Sequence, residues 1–195
     1  MMQQQKTKIY NYNFFQTIFK MEFEKAKRGS QELSLFILDI DHFKKINDVY
    51  GHIQADKLLE QLAKVLTKLT RKSDILARFG GEEFIILFPE TNMEKAKEVT
   101  SRIRDAIKED KLLKKHKLTV SGGLTKYIPK DSTNSMLKRA DKALYDAKRS
   151  GRDRLIAIGL YEKGEFNIKE KLCKETRKIK KINKKKLLNE LKRTF

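Results

Sequence analysis

At 195 residues, with 39% hydrophobic and 36% charged residues, the chain can build one ordinary domain core and surround it with solvated helix surface. The formal charge of +19 favours polyanionic ligands, whether nucleoside triphosphate, nucleic acid or acidic lipid, without choosing among them. A single cysteine, Cys173, excludes an internal disulfide framework and a cysteine-based zinc site. No apolar run approaches the roughly 18 residues that span a bilayer, and the N-terminus lacks a signal peptide's apolar centre, so a cytoplasmic protein is expected.

Residues 1–8 are polar. From about Asn13 to Lys27, Phe14, Phe15, Ile18, Phe19 and Phe23 recur at helical spacing and predict an amphipathic helix whose aromatic stripe is core. Leu33 to Ile40 is an apolar run that fits a buried central strand and closes on acids, Asp39 and then Asp41. Alternate strand residues share a face, so the two carboxylates are expected to point the same way at the strand's C-terminal end. Carboxylates crowded there are costly unless something positive neutralises them: a metal, or alternatively Lys44 or Lys45. Phe43 to Asp56 reads as a glycine-punctuated segment rich in hydrogen-bonding side chains. It precedes a helix over Asp56 to Leu69, apolar at Leu58, Leu62, Val65, Leu66 and Leu69.

Arg71 to Asp74 leads into a hairpin, in which Ile75 to Phe79 and Phe84 to Phe88 flank Gly80-Gly81. Adjacent glycines accept the positive φ of a tight two-residue turn. Glu82 and Glu83 follow at once, and two like charges at a turn add nothing to folding. A solvated acidic turn is one explanation. The other is a hard cation, since Mg²⁺ takes carboxylate oxygens and keeps positions open for phosphate. Thr91 and Glu94 predict a capping box for a helix running to about Lys108. Leu118 to Leu124 reads as a strand, with Gly122-Gly123 marking a bulge or a close backbone approach. Ser132 or Thr133 opens a helix, apolar at Leu137, Ala140, Ala143, Leu144 and Ala147, that ends at Ser150-Gly151. Arg154 to Ile158 is a last short strand. The order is α+β: a mostly antiparallel sheet flanked by helices. Residues 161–195 add 13 Lys/Arg against 5 Glu and read as a basic, helical C-terminal tail, distinct from a domain over 1–160. It is expected to be a solvated helix, a dimerising helix, or a segment touching an acidic membrane or partner.

Four stretches, in order and spacing, make residues 7–160 resemble the GGDEF family of diguanylate cyclases. They are Leu38-Asp-Ile-Asp-His-Phe-Lys-Lys-Ile-Asn-Asp-Val-Tyr-Gly-His, Arg71-x-x-Asp74, Arg78-Phe-Gly-Gly-Glu-Glu-Phe and Ala140-Asp-Lys-Ala-Leu-Tyr-Asp-Ala-Lys-Arg-Ser-Gly-Arg. The resemblance implies a palm-like fold of the nucleotide cyclase, ferredoxin-like kind. It implies a homodimer that condenses two GTP into cyclic di-GMP with release of pyrophosphate, using two Mg²⁺ (or Mn²⁺) per active site. By the match, Asp39, the backbone carbonyl of Ile40 and Glu82 are the metal ligands. Glu82, Glu83 and Lys44 are the catalytic residues, Lys148 and Arg152 hold the β- and γ-phosphates, and Asn47, His52 and Asp56 meet the nucleoside. Arg71 and Asp74, with Arg102 or alternatively the nearby Arg104, would form an inhibitory site for the product.

The chain departs from the family at Ala55, at Ser121-Gly-Gly123, at Asp153 where Asn is common, and across Thr7 to Asn13. No sensor module precedes the motifs in this sequence, so control is expected from a longer parent chain or from elsewhere. The alternative is a catalytically silent receptor that binds cyclic di-GMP or GTP and signals through a partner. Intact Asp39, Glu82 and Glu83 count against it. Altered base choice is opposed by Asp56, whose carboxylate suits guanine's N–H groups. Charge alone is the argument for nucleic acid, and no nucleic-acid partner is expected.

Overall fold

The computed structural model describes residues 9–29 and 31–159, together with the backbone of 163–165. The elements in chain order are β1 (Tyr10–Asn11), α1 (Tyr12–Gly29), β2 (Leu33–Ile40), α2 (Phe43–Leu69), β3 (Ile75–Arg78), β4 (Glu83–Pro89), α3 (Met93–Glu109), α4 (Lys111–Lys115), β5 (Val120–Lys126), α5 (Thr133–Arg149), β6 (Leu155–Ile158) and β7 (Lys163–Glu165). They form one sheet of order β1-β3-β4-β2-β5-β6-β7. The β1–β3 and β5–β6 pairings are parallel and the rest antiparallel. This is the expected α+β, mostly antiparallel architecture.

Every residue of β2 is buried, because helices cover both of its faces. Phe36, Leu38 and Ile40 pack with Leu58, Leu62 and Leu66 of α2 and Ile103 and Ile107 of α3. Leu35 and Ile37 face the other way, against Phe15, Phe19 and Phe23 of α1 and Met136, Ala140 and Leu144 of α5. The period of two divides the core into these layers. Each fully buried Phe or Leu contributes about 1.5–3 kcal/mol, and burial on both faces makes the strand read as a largely apolar run. By the same alternation Asp39 belongs to the face covered by α1 and α5.

Gly122 and Gly123 sit in regular register opposite Leu38 and Ile37, so there is no bulge. The glycines serve close approach instead. A Cβ on Gly123 would lie 2.1 Å from the Ala140 carbonyl oxygen and 2.3 Å from the Leu144 nitrogen of α5.

Three sequence expectations are corrected. The helix expected from Asp56 begins at Phe43 and is kinked at Gly51 (φ 76°). Phe43 and Ile46 anchor its first turns in the core, one helical turn apart, too sparse a pattern to read beside so many polar neighbours. The cap of α3 is Asn92, whose side chain accepts from the Lys95 N–H at 2.9 Å. Thr91 is buried in the turn before it and donates to the Pro89 carbonyl at 2.8 Å, so it is not free to form the box. The sheet also gains β1 and β7, and the expected tail over 161–195 lies outside the described residues except for the β7 backbone. Among the described residues no helix is long and apolar enough to cross a membrane.

Candidate active site

Antiparallel pairing places Asp39 of β2 directly opposite Glu83 of β4 on one side and Ser121 of β5 on the other. Directly opposed residues share a face, so the two carboxylates emerge together at the end of the central strand. Glu82 joins them: its backbone carbonyl accepts from the Ile40 N–H at 3.4 Å, laying the turn along the strand end. Lys148 of α5 supplies the counter-charge, with its Nζ 2.9 Å from Asp39 Oδ2. Neither Lys44 nor Lys45 plays that part; both are exposed on the first turn of α2.

Burial pushes the Asp39 carboxyl above the ordinary carboxylate range, Lys148 opposes it, and the charges of Glu82 and Asp41 push it further. Glu83 is raised in the same way, first by burial and then by Asp39, with Lys148 again opposing. Asp39 and Glu83 thus share one lysine, with the charge of Glu82 repelling both, an arrangement that stores repulsion.

The expected two-residue glycine turn is not what carries the acids. Residues 79–82 form the connection, and Phe79 N–H donates to the Glu83 carbonyl at 2.8 Å. Neither Gly80 nor Gly81 has a positive φ. Gly80 provides room instead, since a Cβ there would stand 2.8 Å from Glu83 Oε2. Arg78 closes the loop, donating through Nε to the carbonyls of Gly80 at 3.1 Å and Gly81 at 3.0 Å. Burial lowers the pKa of its guanidinium, and the charges of Asp56 and Glu82 oppose that shift. Sequence reasoning gave Arg78 no role, although its place at the head of the motif was the available signal.

Asp41 is buried but differently employed. Its carboxylate accepts from Ser121 Oγ at 2.7 Å, Thr119 Oγ1 at 2.8 Å and the Asp153 N–H at 3.0 Å. It braces the ends of β2 and β5 and the turn after α5, and its oxygens are engaged in doing so.

Around the Gly51 kink, His52 Nδ1 lies 3.1 Å from Asn47 Oδ1, which brings two of the three expected nucleoside contacts together. Asp56 follows on the next turn, half-buried. Arg152 is exposed after α5, with left-handed backbone (φ 61°) and its N–H bonded to the Ala147 carbonyl at 3.1 Å.

The expected inhibitory residues lie elsewhere. Asp74 Oδ2 accepts from the Arg71 backbone N–H at 2.7 Å, and Asp74 N–H returns a bond to the Arg71 carbonyl at 3.0 Å. Burial raises the Asp74 carboxyl, while that hydrogen bond and the Arg71 charge oppose the shift. Arg71 and Arg102 are exposed, whereas Arg104 is drawn to Asp153.

The donor set suits a hard cation: Asp39 and Glu82 carboxylates beside the Ile40 backbone, in mutual repulsion, all oxygen. Among the described residues no three acidic, histidine or cysteine side chains form a ready-made metal cage. That accords with Mg²⁺, which is held by one or two carboxylates plus substrate phosphates rather than by an all-protein cage.

Known proteins carry the same architecture. A family model described as "Diguanylate cyclase, GGDEF domain" matches residues 2–154. The chain is 42% identical over 139 residues to diguanylate cyclase DgcP of Pseudomonas aeruginosa, a match covering 70% of this chain and 21% of that protein. It therefore spans about a fifth of the length of that curated relative. The GGDEF domain of DgcB from Caulobacter crescentus, solved with its coiled coil and c-di-GMP, superposes with a TM-score of 0.76 at 30% identity, covering 80% of this chain and 85% of that one. The active GGEEF domain of a diguanylate cyclase from Vibrio cholerae gives a TM-score of 0.72 at 34% identity, covering 75% and 96%. With its strand-end acids, glycine-flanked hairpin and matching fold, the chain belongs to the GGDEF family of diguanylate cyclases.

Proposed function

We propose that this domain condenses two GTP molecules into cyclic di-GMP with release of pyrophosphate. The observation that supports it most is the opposed pair Asp39 and Glu83, with Glu82 alongside and Lys148 as their shared counter-charge. Uncompensated acids at the end of a buried strand are poor for folding and suited to holding cations against a triphosphate. Asp39, the Ile40 carbonyl and Glu82 would hold Mg²⁺ or Mn²⁺, two per site. When bound, the metal stabilises charge on phosphate oxygens and lowers the pKa of a coordinated hydroxyl.

The protein's own residues then divide the remaining work. Glu82, helped by Glu83, accepts the proton of a ribose 3′-hydroxyl, and the raised Glu83 carboxyl is closer to a base's working range than an ordinary one. The 3′-oxygen bonds to the α-phosphorus of the other GTP as the bond to pyrophosphate breaks, its electron pair leaving with the pyrophosphate. Two such steps close the ring. Lys44, Lys148 and Arg152 balance the phosphate charge, and Asn47, His52 and Asp56 hold the nucleoside, with Asp56 accepting from guanine N–H groups. Each chain offers one nucleotide site and the bond joins two nucleotides, so the active species is a homodimer of facing half-sites. Product returns to Arg71, Asp74 and Arg102 and inhibits. GTP as substrate places the domain in the cytoplasm.

Product chromatography after incubation with GTP and Mg²⁺ tests this. Cyclic di-GMP should form with the parent chain and vanish with a chelator. A folded, metal-supplied protein that binds GTP yet releases no cyclic di-GMP would overturn it in favour of a silent receptor.

A further inference from the structure

The turn that follows α5 is strained. Gly151, Arg152 and Asp153 have successive positive φ angles of 111°, 61° and 46°. A non-glycine residue in this region carries a steric penalty and persists only where its surroundings over-determine it. The Arg152 N–H is held by the Ala147 carbonyl at 3.1 Å and its carbonyl by Arg154 Nε at 3.0 Å, and Asp153 adds two further ties. Its N–H is held by Asp41 Oδ2 at 3.0 Å, which ties the turn to the end of β2 two residues from Asp39. Its carboxylate reaches the other way, to α3, with Lys108 Nζ at 2.7 Å from Oδ2 and Arg104 Nε at 3.5 Å from Oδ1. Arg104 Nε and Asp153 Oδ1 are both shielded from solvent and have no hydrogen bond, so they face each other as a close charge pair. The turn is clamped from the strand end and from a helix on the far side of the sheet. Directly before the clamped residue stands Arg152, exposed.

We propose that Asp153 is a positioning residue for Arg152: its ion pairs to Lys108 and Arg104 hold the strained turn in the conformation that presents Arg152 to the triphosphate. This rests on Arg152 contacting phosphate, as proposed above. The sequence marks the same position as a departure from the family's common Asn, a residue of the same shape that could not form the ion pairs. The Lys108–Asp153 pair is part-exposed at both ends, and such pairs contribute little to global stability. The consequence is therefore expected in nucleotide affinity rather than in unfolding.

Asp153→Asn removes the charge, keeps the backbone bond to Asp41 and tolerates left-handed φ. Affinity for a non-hydrolysable GTP analogue is measured by calorimetry on the intact chain, alongside KM, kcat and the melting temperature. Asp153→Asn should weaken the analogue and raise KM about fivefold, with kcat within about twofold of the parent. Lys108→Gln should do the same. The double variant should be no worse than either single one, and Asp153→Asn should have no further effect when Arg152 is already Ala. Parent-like affinity in Asp153→Asn, a lowered melting temperature with unchanged affinity, or additive effects with Arg152→Ala would each overturn the assignment while leaving the cyclase reading intact. A parent chain that binds no GTP analogue would instead overturn that reading, and this one with it.

Discussion

The strand-end acids and the Arg71–Asp74 turn both present carboxylates beside arginine or lysine, yet they are built on opposite principles. Asp39, Glu82 and Glu83 come from two separate elements, and Lys148 from a third. Burial and mutual repulsion raise two of these carboxyls, and only long-range folding holds the group together. Asp74 instead satisfies itself locally, on the backbone of a residue three positions away, and leaves the Arg71 guanidinium exposed. The first arrangement is repulsive without a cation and fits chemistry. The second is satisfied within its own turn.

The sharpest way to separate the two is to delete a side chain from each. Asp39→Ala or Glu82→Ala should lower cyclic di-GMP synthesis on the order of a thousandfold with the fold intact, read by product chromatography and circular dichroism. Near-normal turnover in either folded variant would remove that carboxylate from the metal set. Arg71→Ala, by contrast, should leave the initial rate nearly unchanged, weaken cyclic di-GMP binding about tenfold and let more product accumulate. If it is inhibited as strongly as the parent, no inhibitory site is built on that turn.

Gly123→Ala probes how the catalytic edge depends on distant packing. A methyl group would meet the α5 backbone at 2.1 Å, and α5 carries Lys148. Denaturant unfolding should show a loss of about 3 kcal/mol. Parent-like stability would mean that α5 can lift from the sheet without penalty.

The smallest effect concerns an acid that is purely structural. Asp131 is burdened by burial, but hydrogen bonds from Arg139, Ser135 and the Ile128 N–H outweigh it and hold its carboxyl below the ordinary range. A folded-state pKa depressed in this way contributes stability above the unfolded value, and that stability is lost as pH falls through the folded one. Asp131→Asn should therefore cost about 2 kcal/mol at neutral pH, and the gap between variant and parent should narrow in acid. A gap that is constant down to pH 3 would show that shape, not charge, does the holding.

Local pattern made much of this protein legible. The bounds of β2 follow from its predominantly apolar run, and the span of α5 from its apolar spacing and the Ser132 cap. The strand-end acids and the acids after Gly80-Gly81 stand out because charge beside apolar runs is conspicuous. What stayed hidden were the particular side-chain pairings between residues far apart in the chain. Asp39 and Asp41 look equivalent in sequence, yet one pairs with Lys148 and the other is consumed by Ser121, Thr119 and the Asp153 N–H. Whether Gly122-Gly123 meant a bulge or a close helix was undecidable until α5 was laid across them. Periodicity records which way a side chain faces, because that is fixed within one turn or one pleat. Which group it then meets depends on sheet order and helix placement, and those are decided only when both faces of β2 are buried at once.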